Sequence, residues 1–117
     1  MQVHHETANI FRVDVRGLLR QSELERCQRE VLDEASRTGT VRLLFVLEGF
    51  KGWDPSDNWR DMSFYVTHGD VIERIAIVGD ERWRDVAMMF AAADLRKAPV
   101  EFFDEDALEE ARVWLCR

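Results

Sequence analysis

The chain is 117 residues long, 46% hydrophobic and 33% charged, with a formal net charge of -7. This length suits one domain, taken as residues 1–117, that buries its own core, and the composition excludes disorder and low complexity. An acidic chain with its basic residues interspersed among carboxylates is unsuited to nucleic acid or an anionic membrane surface, which are held by clustered Lys and Arg.

The longest apolar run falls far short of the roughly 20 residues that span a bilayer. The N-terminal stretch "MQVHHETANIFRV" has no basic region followed by an apolar one, so no secretory signal is read and a cytoplasmic location is expected. Cys27 and Cys116 are too few and too far apart for a disulfide framework or a zinc site.

In chain order, a short strand over Gln2 to Glu6 is expected, with "TAN" as the turn. "IFRVDVR" then alternates strictly: Phe11, Val13 and Val15 face one way, Arg12, Asp14 and Arg16 the other. That is a strand with one wet face, and Gly17 is expected to close it. Next, "SELE" reads as a capping box, with Ser22 at the N-cap and Glu25 three residues on. The helix is expected over Glu23 to Arg37, burying Leu24, Cys27, Val31 and Ala35, with Gly39 ending it at a positive φ.

"VRLLFVLE" is apolar without alternation, as in a strand covered on both faces. "IERIAIVG" reads the same way, so Leu44, Phe45, Val46, Ile75, Ile77 and Val78 should be almost fully buried. Between these strands, Asp57 is expected to cap a helix carrying Trp59, Met62 and Val66 inward and ending near Gly69. Asp80 should cap a further helix with Trp83, Val86, Ala87, Phe90 and Ala91 inward. After a strand "PVEFF", Asp104 should cap the last helix, which buries Leu108, Ala111, Trp114 and Leu115, with Asp106 near its positive end.

The order ββαβαβαβα, with short connections, predicts an α/β domain built on a mixed, mostly parallel sheet of about five strands and about four helices. No linker, repeat or second domain is evident.

Three stretches carry a family resemblance: "LEGFKGW" after the central strand, "IAIVGDERW", and "EFFDEDALEEARVWL". Together they span nearly the whole chain, which resembles the SpoIIAA-like family of small bacterial α/β proteins. That family is related in fold to the STAS domains of anti-sigma-factor antagonists and to Sec14-like lipid-binding proteins. The resemblance implies the fold and no catalytic motif. STAS-type switches place a phosphorylatable serine where the central strand passes into the next helix. Here that junction reads "LEGFKGWDPSD", with Ser56 as the nearest hydroxyl several residues late, so the resemblance carries no such switch over.

Open α/β sheets bind ligands outside the carboxyl ends of their strands. That end collects Glu48, Phe50, Lys51, Trp53, Trp59 and Asp80, the candidate ligand or partner residues. "GFKG" lacks the pattern of a phosphate loop, and its glycines are read as permitting positive φ. A tryptophan there can line an apolar pocket or anchor an interface, or simply cover the sheet. Trp59 lies on a helical stripe and favours the core, whereas Trp53 lies outside any stripe. His4 and His5 have no third ligand at suitable spacing, so no metal is expected, and no cofactor is implied. Cys27, on a buried stripe, should be inert.

No nucleophile–base arrangement follows from spacing, so an enzyme ranks last. A non-catalytic regulatory or protein-interaction module, with self-association as one form, ranks first. A carrier of a small apolar or lipid-like ligand is the alternative.

Overall fold

Period-two alternation makes the first strands, and the structure, a computed structural model, describes residues 1–57, 69–91 and 97–117. Strand β1 (Gln2–Thr7) turns at Ala8 and Asn9 into β2 (Ile10–Leu19). Phe11, Val13 and Val15 are buried, while Arg12, Asp14 and Arg16 on the opposite face keep contact with water. Gly17 does not end the strand: at φ 63° it sits in an irregularity of the ladder, and β2 continues to a buried Leu19.

Helix α1 (Gln21–Thr38) buries Cys27, Val31 and Ala35. It starts earlier than the sequence suggests, and the expected capping box does not form. The N-cap residue is Arg20, which makes no side-chain cap bond. Instead Asp57, far along the chain, accepts from the Gln21 backbone N–H at 2.9 Å. A carboxylate from another segment thus satisfies an orphan donor of the first turn. The helix expected after Asp57, with Trp59, Met62 and Val66, lies outside the described residues. At the other end of α1, Gly39 has φ 94° and donates to Ala35.

Strand β3 (Val41–Trp53) lies between β2 and β4 (Ile72–Gly79). A turn of 3-10 helix (Glu81–Trp83) leads into helix α2 (Arg84–Phe90). Strand β5 (Val100–Asp104) and helix α3 (Leu108–Cys116) complete the chain. Five strands lie in sequence order, β1-β2-β3-β4-β5, with β1 antiparallel to β2 and the remaining pairs parallel. The fold is the expected mixed α/β domain, with three α-helices among the described residues.

Strand order explains where the helices go. Right-handed crossovers that advance steadily along a sheet keep their helices on one face. Accordingly Cys27, Val31 and Ala35 of α1 and Ala87 of α2 join Val13, Val15, Leu43, Ile75, Ile77 and Phe102 in one core. Helix α3 packs on the opposite face, where Ala111 and Leu115 meet Leu44, Val46, Ala76 and Val78.

Two arginines of the sheet take up carbonyls at the end of α3: Arg74 donates to Trp114 at 2.7 Å, and Arg42 donates to Leu115 and, at 2.8 Å, to Arg117. Carbonyls of a last helical turn need partners from outside the ladder, and Trp114 also accepts from the Arg117 backbone N–H at 3.3 Å. Asp104 is not the cap of α3. It is the last residue of β5, and the N-cap Ala107 makes no side-chain bond. Asp106 precedes the helix, whose first turn carries Glu109 and Glu110.

The central strands are buried as expected, save at one position. Leu44, Ile75 and Val78 are at most 2% exposed, Ile77 is 4% and Val46 is 9%, whereas Phe45 is only partly buried. Val86, expected inward on α2, is 41% exposed. Among the described residues, no helix is long and apolar enough to cross a membrane.

Candidate functional site

At the carboxyl end of the parallel strands, β3 outruns its neighbour. Its register with β4 ends at Val46 opposite Val78, whereas pairing with β2 continues to Trp53 opposite Leu19. The stretch "EGFKGW" is therefore not a strand exit, as its glycines suggest, but a bulged continuation of the strand. Between Val15–Leu47 and Leu19–Trp53 the register slips twice, so β3 holds two more residues than β2 over this span. Gly49 at φ 60° and Gly52 at φ 103° take the conformations these bulges need.

The slips set which side chains face the core. Ordinary alternation from Leu47 would bring positions 49, 51 and 53 to one face. The bulges instead bring Leu47, Phe50 and Trp53 to the side of α1 and α2. Lys51 and Glu48 are exposed, and Glu48 pairs with Arg16 at 3.3 Å.

Around Phe50 the rings interlock. Phe50 is buried, with Trp53 at 5.0 Å and Trp83 at 4.9 Å between centroids, both edge-to-face. Trp53 meets Trp83 at 6.1 Å and Phe90 at 5.1 Å. Edge-to-face contacts add to area burial, because a ring's positive rim meets its neighbour's negative face. Two glycines lie at this junction, one against a ring and one against Leu47. A Cβ on Gly52 would lie 3.4 Å from the Trp83 ring, and one on Gly79 only 2.9 Å from Cβ of Leu47. Trp53, Trp83 and Phe90 remain partly exposed over the buried Phe50.

Polar groups surround this cluster. Asp80 accepts from the Arg82 backbone N–H at 3.0 Å and so caps the 3-10 turn rather than α2 itself, whose N-cap, Trp83, makes no side-chain cap bond. Glu81 is held by Arg84 at 2.6 Å, which keeps its carboxyl below the usual range. Arg82 lies over the Trp83 ring at 5.3 Å. The Asp54 carboxyl is also lowered, first by the Ser56 backbone N–H and then by the Ser56 hydroxyl, which donates to it at 2.7 Å. Ser56 is thus engaged by a carboxylate.

Of the candidate residues, the structure brings Phe50 and Trp53 together and places Asp80 at the turn before Trp83. Glu48 and Lys51 point to solvent, and Trp59 lies outside the described residues. Trp83 and Phe90 carry no functional signal in the sequence, where their helical spacing reads as ordinary core. They join the site because the turn after β4 folds over the end of β3.

Cys27 is buried, and desolvation, with Glu30 adding to it, pushes its thiol up to about 12, as suits an inert packing residue. No group of three His, Cys, Asp or Glu residues able to hold a metal occurs among the described residues.

The same architecture occurs in a solved structure, an uncharacterised protein from Shewanella loihica with a SpoIIAA-like fold. The TM-score is 0.68 at 21% identity, over 98% of this chain and 91% of that one. No protein of curated function matches the chain. The SpoIIAA-like family model matches residues 10–116, and the chain belongs to that family.

Proposed function

We propose that the chain, acting as one domain over residues 1–117, is a non-catalytic cytoplasmic interaction module of regulatory type. It docks a protein partner at the carboxyl end of its parallel strands. The observation that carries this reading is the cluster of partly exposed rings, Trp53, Trp83 and Phe90, seated on a buried Phe50. Interfaces draw most of their binding energy from a few such aromatic anchors, and the surrounding contacts mainly exclude water. The cap at Asp80 and the glycines of β3 hold the rings in place before any partner arrives, which lowers the ordering cost of binding.

The test is partner capture followed by titration of the purified partner. Trp83→Ala should weaken binding by roughly thirtyfold, the equivalent of about 2 kcal/mol for a central anchor. Unchanged affinity in a variant that still folds cooperatively would sink the reading. The second reading is that these rings take a small apolar or lipid-like molecule, and their partial exposure supports it. Tryptophan fluorescence that responds to a fatty alcohol or a fatty acid, with no partner captured, would select it.

A further inference from the structure

We draw no further inference here: the strongest candidate, the surface patch of partly exposed Trp53, Trp83 and Phe90 at the carboxyl end of the parallel strands, belongs to the site already described, and its rim mixes exposed Lys51 and Arg82 with Asp80 and the ion-paired Glu48 and Glu81, so nothing in the structure shows what covers it.

Discussion

The two halves of β3 are one strand with two different tasks. From Val41 to Val46 the chain is paired on both sides and covered on both faces, and its side chains alternate between two cores. From Leu47 to Trp53 it pairs with β2 alone, slips register twice, and brings aromatics to one face three residues apart. Regular pairing gives the first half its stability. In the second half, interrupted pairing lets glycines decide where large rings sit, with Phe50 buried and Trp53 left partly exposed.

The largest expected effect lies in the first half. Leu44 is fully buried between sheet and α3, so Leu44→Ala should cost about 2–5 kcal/mol. Phe45→Ala should cost less than that, because the ring is only partly buried. Chemical denaturation compares the two, and a reversed order would mean that the double covering of this half is wrong.

Next comes the boundary. Gly79→Ala would bring a methyl to 2.9 Å from Leu47 Cβ, a backbone-proximal atom that cannot swing away. A loss of about 1–3 kcal/mol, as for an overpacked core, is expected, with altered tryptophan fluorescence as the turn carrying Trp83 is displaced. A neutral result would show that the two halves are not locked together at this point.

A smaller effect tests how the second half is tied to α1. Asp57→Ala should cost about 0.5–2 kcal/mol by removing the acceptor of the Gln21 N–H, while Ser22→Ala should stay within about 0.5 kcal/mol. Thermal unfolding of both variants settles which residue caps the helix.

The smallest effect is at the start of the first half. Glu73 receives the Thr40 hydroxyl, Arg42 at 3.1 Å and Asn9 at 3.3 Å, and these bonds, led by Thr40, lower its carboxyl from the usual 4.5. A lowered folded value favours the folded state at pH above 4.5, and that contribution is lost as pH falls through the folded value. Glu73→Gln should therefore lower stability near neutrality and flatten the acid limb below pH 4.5, with the two proteins converging where the carboxyl is protonated. An unchanged acid limb would mean that this carboxylate is not coupled to folding.

Much of this was legible in the residues. Alternation in "IFRVDVR" and its absence in "VRLLFVL" and "IERIAIVG" set the strands and their burial, because side-chain direction in a strand has a fixed period of two. The inward stripes of Cys27, Val31 and Ala35, and of Ala111 and Leu115, followed from helical spacing in the same way. That Asp80 caps was equally readable, since its partner lies two residues away, but what it caps is the 3-10 turn before α2.

What tertiary structure decided were contacts between distant segments. Asp57 displaced Ser22 as the cap of α1 because space, not sequence, brought it to Gln21. Two bulges, measured only against β2, carried the strand past Glu48 and turned Phe50 to the face that Trp53 shares. Trp83 reached them because the turn after β4 folds back over the end of β3. Local periodicity is a property of the chain, whereas register between strands and the meeting of rings depend on which surfaces the fold brings together.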